Sequence, residues 1–365
     1  MKNIAILGAG KIGSTLAAQL DACGDYDVTL MDARPAALSE ARCGPSVKLQ
    51  VLDIADAPVL ETAIAGHYAV LTAAPFHLTA RIAEAAVRQG VHYLDLTEDV
   101  ASTRRVKELA VGARSALIPQ CGLAPGFVSI VAAELCRGFD SLNSVRMRVG
   151  ALPQYPSNAL NYNLTWSTDG VINEYCEPCE AIVEGVLSQV APLGGHEEFS
   201  LDGVTYEAFN TSGGLGTLCE TLQGQVTTLD YKTIRYPGHG AIMKALLNDL
   251  RLRDRRDVLK DILENALPAT LQDVVIVFVT VSGLKNGRLM QQTDARKIYS
   301  QVQGGVLRSA IQVTTAAGIC TVLDLLAQGR LPQTGLVRQE DIALGDFLDN
   351  RFGNVYADRK ALAAA

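Results

Sequence analysis

The first twenty residues constrain the rest of the chain. Ile4 to Leu7 is a short apolar run, Gly8-Ala9-Gly10-Lys11-Ile12-Gly13 follows it, and a helical pattern continues through Leu16, Ala17 and Leu20. A strand, a G-x-G-x-x-G turn and a helix in that order are the fingerprint of a dinucleotide-binding unit. Gly8 permits the tight turn, Gly10 lets the backbone approach a pyrophosphate, and Gly13 lets the helix lie close on the strand. The unpaired N–H groups of the first helical turn, at the positive end of the helix dipole, face the phosphates. Gly8, Gly10, Lys11, Ile12 and Gly13 are therefore expected to touch the cofactor.

The second strand, Val28 to Met31, ends in Asp32. An acidic residue about 20 positions beyond the glycine turn accepts a hydrogen bond from the adenosine ribose and repels a 2′-phosphate, which favours NAD. Arg34 beside it, with Ala33 between, is the residue type that accommodates a 2′-phosphate, so NADP stays open. The alternation continues with strand Lys48 to Leu52 before Asp53 and helix Val59 to Ala65. Strand Ala69 to Ala73 precedes Ala74-Pro75-Phe76-His77, and helix Thr79 to Gln89 is capped by Gly90. Strand His92 to Leu96 leads into Thr97-Glu98-Asp99, followed by helix Thr103 to Ala110 and strand Ser115 to Pro119. This alternation predicts an α/β fold, a Rossmann doubly wound parallel sheet joined to a second α+β substrate and dimerisation domain. Ligands of such sheets lie beyond the carboxyl ends of the strands. Asp32, Asp53, Ala74, Pro75, Thr97, Glu98, Cys121 and Gly122 are placed there.

The Gly/Pro-rich stretch Cys121 to Phe127 marks a domain boundary. The expected organisation is a dinucleotide-binding domain over 1–122, a substrate-binding and dimerisation domain over 123–308, and a helix and tail over 309–365 that pack back on the first domain. Beyond the apolar helix Val128 to Cys136 the texture is strand-like at Val145 to Val149, Glu198 to Leu201, Thr205 to Phe209, Gln225 to Tyr231 and Val274 to Val281. Helices are expected at Ala241 to Asp249 and Val258 to Asn265, and Glu180 to Glu184 fits either a helix or a strand. Ser309 to Ala327, stopped by Gly329, reads as a buried helix because most of its faces are apolar, and Lys360 to Ala365 as a frayed tail.

A net charge of −7 lacks the basic footprint of a nucleic-acid binder. Met1 leads straight into the first strand with no leader pattern, which predicts a cytoplasmic protein. The apolar run Val274 to Val281 is too short to span a bilayer, so no membrane partner is expected. In a reducing compartment the eight cysteines are expected to be free thiols. Cys176-Glu177-Pro178-Cys179 has metal or redox spacing without a second such pair, and reads instead as a helix starting at Pro178, with no metal.

Four clusters carry candidate chemistry. His77 follows the fourth strand, and Asp95, Glu98 and Asp99 crowd the end of the fifth, where a carboxylate can bind or deprotonate an ammonium group. Asp99 equally fits a helix cap. In Arg235-Tyr236-Pro237-Gly238-His239 an arginine fork suits a carboxylate and the turn projects a histidine, although a surface turn has the same pattern. Asn161 to Gly170, with Thr168 and the sole tryptophan Trp166, suits a pocket wall. His77, Asp95, Glu98 and His239 are thus the catalytic candidates, and Trp166, Thr168 and Arg235 the substrate contacts. Thr211 to Thr217 resembles a phosphate loop but lacks its Lys-Ser/Thr and reads as a mobile turn. Arg251, Arg253, Arg255 and Arg256, interleaved with Asp254 and Asp257, suggest a solvated helix face or subunit contact.

The segments GAGKIG, APFH, YLDLTED, GLAPGF and above all KTIRYPGH resemble the saccharopine dehydrogenase-like family, most of all its lysine 6-dehydrogenase branch. The resemblance implies NAD-dependent oxidation of the ε-amine of L-lysine to allysine, which cyclises to Δ1-piperideine-6-carboxylate, by a homodimer. In the saccharopine-forming reductases of the family the GL-x-PG motif carries an aspartate linked to catalysis, whereas Ala124 stands here, which favours a smaller amine substrate. The alternatives are a saccharopine or carboxynorspermidine dehydrogenase-type imine reductase and a non-catalytic NAD-binding regulator.

Overall fold

The computed structural model describes residues 1–357, so the tail Lys360–Ala365 lies outside the described residues. The chain forms two compact units. In the first, β1 (Lys2–Leu7), β2 (Tyr26–Asp32), β3 (Lys48–Val51), β4 (Ala69–Thr72), β5 (His92–Leu94) and β6 (Ala116–Ile118) make a parallel sheet in the order β6-β5-β4-β1-β2-β3. A short strand, Gly335–Leu336, extends it beyond β6. The connecting helices are α1 (Lys11–Cys23), α2 (Pro35–Glu40), α3 (Ala57–Ile64), α4 (Thr79–Gln89) and α5 (Val100–Ala110). Central strands covered on both faces read as unbroken apolar runs, and Ile4 to Leu7 and Ala69 to Leu71 are fully buried. The edge strand β3 is exposed at every residue. The order reverses between β1 and β4, which is where ligands bind in sheets of this kind.

Several strands end earlier than their apolar runs predict. β5 stops at Leu94 because Asp95 turns its side chain to local N–H groups, and β3 stops at Val51. α5 begins at Val100 rather than Thr103, since Asp99 caps it by accepting from the Ser102 N–H at 2.7 Å.

The first unit runs through Ile130, into α6 (Phe127–Arg137), so the Gly/Pro stretch ending at Phe127 lies inside it. It also takes in Val302–Arg308, which the sequence pattern assigns to the second domain, and everything described from Gln312 onward.

The second unit is built on a mixed sheet. Its elements are β7 (Ser141–Pro153), α7 (Thr168–Cys176), β8 (Cys179–Val183), β9 (Val186–Val190), β10 (Glu197–Leu201), β11 (Val204–Asn210) and α8 (Leu218–Leu222). They continue with β12 (Thr228–Arg235), α9 (His239–Lys244), α10 (Arg256–Ala266), β13 (Asp273–Lys285) and β14 (Arg288–Tyr299). The strand order is β10-β11-β12-β7-β13-β14, with β8 paired to β12 and to β9. The β7–β12 ladder is parallel and the other described ladders are antiparallel. α7, α9 and α10 share an apolar cluster that includes Ile172, Tyr175, Met243 and Leu259.

Three hairpins close on two-residue turns with positive φ at both positions: Glu184-Gly185 (52° and 81°), Asp202-Gly203 (52° and 77°) and Asn286-Gly287 (52° and 72°). That is the geometry whose twist matches the flanking strands. They settle Glu180 to Val183 as strand, with Glu184 in the turn, and reveal β14, which the apolar pattern passes over.

Other expectations are corrected. Pro178 starts no helix: α7 ends at Cys176, and Glu177 takes the extended conformation that a following proline imposes. Cys176 and Cys179 are buried free thiols, and burial pushes Cys179 up to about 12. Thr211 to Thr217 is packed rather than mobile, with Thr211, Ser212 and Thr217 buried and Gly214 backed by the Tyr231 ring.

The chain returns to the first unit along α11 (Ala310–Ala327), followed by α12 (Leu344–Asp349). α11, not Val274 to Val281, is the one described helix long and apolar enough to cross a membrane, and 83% of it is buried inside the structure. Gly318 lets it touch the backbone of the Gly/Pro stretch; a Cβ there would lie 2.6 Å from the Cys121 oxygen.

Candidate functional site

The glycine turn divides its labour as the motif requires. Gly8 has φ 102°, and a Cβ on it would meet the Ala73 carbonyl oxygen at 2.7 Å. A Cβ on Gly13 would meet the Gly8 oxygen at 1.7 Å, so these two glycines serve the turn and the helix contact. At Gly10 a Cβ would meet nothing within 4 Å. That open space at the amino end of α1 fits a pyrophosphate held by backbone N–H groups.

Asp32 braces this turn from the end of β2. Its carboxylate accepts from the N–H of Ala9 at 2.8 Å and of Arg34 at 2.8 Å. Burial pushes the carboxyl up, but the two N–H groups and the Arg34 guanidinium outweigh it and hold Asp32 below the usual carboxylate range. Ala33, Arg34 and Lys11 are exposed, and Ile12 is half-buried. Asp53 is also exposed and caps its own turn by accepting from Ala55 N–H. Ala74 N–H is tied to Thr72 at 3.3 Å, while Pro75 and His77 are exposed, His77 lying on the single helical turn Phe76–Leu78.

At the end of β5 the acids separate by environment. Asp95 is fully buried; one oxygen accepts from the N–H groups of Gln120 (2.7 Å) and Thr97 (3.0 Å), the other from the Tyr93 hydroxyl (2.9 Å). Burial pushes it up to about 6 against those donors. Fully buried and bonded to three donors, Asp95 braces β5 against the segment after β6. Thr97 is buried, its hydroxyl accepting from Asp99 N–H, and Asp99 is the α5 cap. Glu98 is half-buried; burial and the charges of Asp99 and Asp95 push it up to about 7, opposed by its own backbone N–H. Cys121 and Gly122 are core residues rather than exposed cofactor contacts, and burial holds the Cys121 thiol well above its ordinary range.

In the second unit Arg235 is the last residue of β12 and is buried, so it does not belong to a surface turn. Its Nε donates to the Tyr175 hydroxyl at 2.9 Å and its Nη1 to the Ile234 carbonyl at 2.8 Å, with the Tyr162 ring 5.1 Å from its Cζ. His239 opens α9 after Gly238 (φ 97°) and is equally buried. Its two nitrogens contact the Tyr175 hydroxyl (3.1 Å) and the Leu160 carbonyl (2.9 Å). Burial and the Arg235 charge push it down to about 3. Both ring nitrogens of His239 are engaged inside the second unit, which places it as a structural link between Tyr175 and Leu160. Thr168 is the buried first residue of α7, which Ser167 caps, and Trp166 packs half-buried on the cluster under the helices. The hydroxyls of Tyr162, Thr165 and Thr211 are buried with no hydrogen-bond partner among the described residues.

Sequence reasoning missed Tyr175 and Glu207. Glu207, opposite Arg235 in the β11–β12 ladder, holds the Pro-Gly turn by accepting from Gly238 N–H (2.9 Å) and Gly240 N–H (2.6 Å). An acidic residue inside an apolar strand is the signal that marks it. Nothing in the pattern of α7 singles out Tyr175.

A glycine-turn dinucleotide cradle at the switch point of a parallel sheet, in a chain that also carries a mixed-sheet unit, defines a two-domain protein of the dinucleotide-binding class. Residues 4–117 match the family model described as the saccharopine dehydrogenase NADP binding domain, and residues 122–350 that of the saccharopine dehydrogenase C-terminal domain. The chain belongs to the saccharopine dehydrogenase family. A curated relative, the L-glutamate-forming, NADP(+) saccharopine dehydrogenase of Schizosaccharomyces pombe, is 25% identical over 180 residues. That match covers 47% of this chain and 40% of the relative's length. Among solved structures, the apo saccharopine dehydrogenase (L-Glu forming) of Saccharomyces cerevisiae superposes with a TM-score of 0.79 at 18% identity, covering 96% of this chain and 97% of its own. The homospermidine synthase of Legionella pneumophila in complex with NAD gives 0.69 at 14% identity, covering 98% and 90%. At these identities the likeness shows the fold alone.

Proposed function

We propose that this chain is an NAD-dependent dehydrogenase that oxidises the ε-amine of L-lysine to allysine. The observation that carries the proposal is Arg235, a buried guanidinium whose Nε and Nη1 are each committed once while Nη2 bonds nothing among the described residues. The charge of buried Glu174 on α7 already acts on this cation, and the open Nη2 edge fits an amino-acid carboxylate on the planar fork. Ala124, in the position where the resemblance places the aspartate of the saccharopine-forming reductases, supports a simple amine over saccharopine.

The substrate amine arrives as an ammonium and must lose a proton before its carbon can give up hydride. Glu98, raised to about 7, takes that proton at working pH. Asp95 keeps the Glu98 segment in place through the Thr97 N–H. When bound, the nicotinamide supplies the hydride acceptor. Water then hydrolyses the imine to aldehyde and ammonia. Ionised Asp32 favours NAD, while exposed Arg34, which pairs with Asp32 at 3.4 Å, would have to leave that pair to meet a 2′-phosphate.

The test follows reduced-nicotinamide absorbance with NAD or NADP across L-lysine, L-ornithine, saccharopine and diamines. L-lysine with NAD alone should generate NADH and an aldehyde, and a diamine without a carboxylate should lose at least about 100-fold in kcat/KM because Arg235 is left unpaired. Turnover confined to an amine plus a carbonyl compound with reduced cofactor would instead establish an imine reductase.

A further inference from the structure

We propose that Tyr175 and His239 are positioning residues that fix which edge of the Arg235 guanidinium is offered to the substrate carboxylate. This rests on the reading of Arg235 as the carboxylate anchor.

For a neutral His239 the hydrogen-bond directions allow one arrangement. The Leu160 carbonyl can only accept, so Nδ1 of His239 carries the ring proton in their 2.9 Å contact. With the imidazole held neutral by burial and by Arg235, Nε2 is bare and accepts the Tyr175 hydroxyl proton at 3.1 Å. Tyr175 has then spent its only proton and presents lone pairs to the Arg235 Nε–H at 2.9 Å. Arginine cannot accept, so the chain Arg235 to Tyr175 to His239 to Leu160 runs in a single direction.

The scaffold around it is equally determined. His239 lies parallel to the Phe209 ring (interplanar angle 3°) and against Tyr162, and Glu207 clamps the N–H groups on both sides of it, at Gly238 and Gly240. With Nε held by the relay and Nη1 by Ile234, rotation about the guanidinium axis is blocked. The Nη2 edge is what remains for an anion.

Tyr175→Phe keeps the ring and its edge contact with Phe209 (5.7 Å) while cutting the relay. The experiment compares Tyr175→Phe, Arg235→Ala and the double variant as NAD-loaded enzymes, reading L-lysine affinity from the fluorescence of Trp166, the sole tryptophan, beside steady-state kinetics. Tyr175→Phe should raise Kd and KM about tenfold with a much smaller change in kcat. In the Arg235→Ala background it should add less than about twofold, because its action passes through the arginine. Losses that multiply in the double variant, or a kcat that falls as far as kcat/KM, would overturn the proposal.

A second readout needs no ligand. Isotope-labelled side chains should show a slowly exchanging Arg235 Nε–H and a neutral His239 ring protonated at Nδ1, the former lost in Tyr175→Phe and in His239→Gln. An Nε2-protonated or charged His239 overturns the relay even if lysine binds. An intact spectrum in a protein that neither binds nor oxidises any amino acid would instead remove the carboxylate reading of Arg235. Should Tyr175→Phe fail to fold, His239→Gln cuts the same chain one link on.

Discussion

Asp95 and Glu98 sit one turn of chain apart, both raised above the ordinary carboxylate range, and their neighbours give them opposite uses. In Asp95 the oxygen that accepts from Gln120 and Thr97 can be an amide oxygen equally well, and the Tyr93 hydroxyl can reverse to accept from an amide N–H. Because its folded pKa of about 6 exceeds the unfolded value, the folded state binds the extra proton, so Asp95 costs stability as pH rises from about 4 through 6. Asp95→Asn should therefore flatten the pH dependence of urea unfolding over that interval, whereas Asp95→Ala, which orphans the Thr97 and Gln120 N–H groups and leaves Tyr93 only the Thr79 carbonyl, should cost about 3 kcal/mol. Glu98 has no such role in holding the fold. Glu98→Gln should leave the melting temperature nearly unchanged, lower kcat/KM by at least about 100-fold, and abolish its rise through pH 7. A retained inflection near pH 7 would sink the assignment. The acids themselves were readable in the sequence, since three carboxylates at a strand end stand out. Their ranking was not, because it depends on Gln120, which reaches Asp95 from beyond the next strand of the sheet.

At the scale of elements, legibility follows burial. β1 and β4 are covered on both faces and announce themselves as apolar runs, and the glycine turn adds a signal with a mechanism. β14 is a long edge strand, Arg288 to Tyr299, exposed over most of its length, so no apolar period marks it and only the Asn286-Gly287 turn points to it. Arg235 was likewise misplaced because β12 goes on past Tyr231 through polar residues that the ladder with β7 and β11 accommodates. The helix α11 was legible, but the residue that starts it lies in another element. Asp273, fully buried at the head of β13, accepts from the N–H groups of Ala310 and Ile311 with its two oxygens. Burial raises its carboxyl and these two donors hold it down. Removing it costs the first turn of α11 two buried hydrogen bonds. Asp273→Ala should thus lower stability in urea by about 2 kcal/mol, and Asp273→Asn, which offers one acceptor and one misplaced donor, should recover at most part of that. Equal stability of Asp273→Ala and the parent protein would show that the cap contributes nothing.

For the molecule as a whole, the first unit is discontinuous, and its carboxyl-terminal part supplies contacts that the first 130 residues lack. Gly335 and Val337 N–H groups donate to Ser115 and Leu117, adding the last strand to the sheet, and Gln339 donates to the Pro119 carbonyl. Tyr356 stacks on Phe127 at 3.9 Å, with Phe347 5.1 Å from the same ring. Asp324, buried on α11, accepts from Tyr26 (2.6 Å), Arg351 (2.7 Å), Asn350 (2.8 Å) and Gln328 (2.9 Å), so the charge on that helix is balanced from β2 on one side and the chain after α12 on the other. Those donors hold Asp324 below the usual carboxylate range despite its burial, so its contribution is present above about pH 4 and is lost on acidification. Losing Arg351 alone leaves a buried carboxylate with neutral donors only. Because the Arg351 side chain is 40% exposed and its charge is screened, Arg351→Ala should cost about 1 kcal/mol at neutral pH, with the deficit shrinking as pH falls and Asp324 is protonated. Truncation should be far more severe. A chain ending at residue 309 keeps the whole glycine turn and the residues of β1 to β6, yet it lacks α11 and everything that closes the sheet beyond β6. It should melt without a cooperative transition for the first unit and show no NAD-dependent shift, where the full chain at about 100 times its Kd for NAD should gain about 2.7 kcal/mol. A truncated chain that still shifts with NAD would mean that the dinucleotide cradle is stable without the segment after residue 309, and that the returning segment serves something other than the fold.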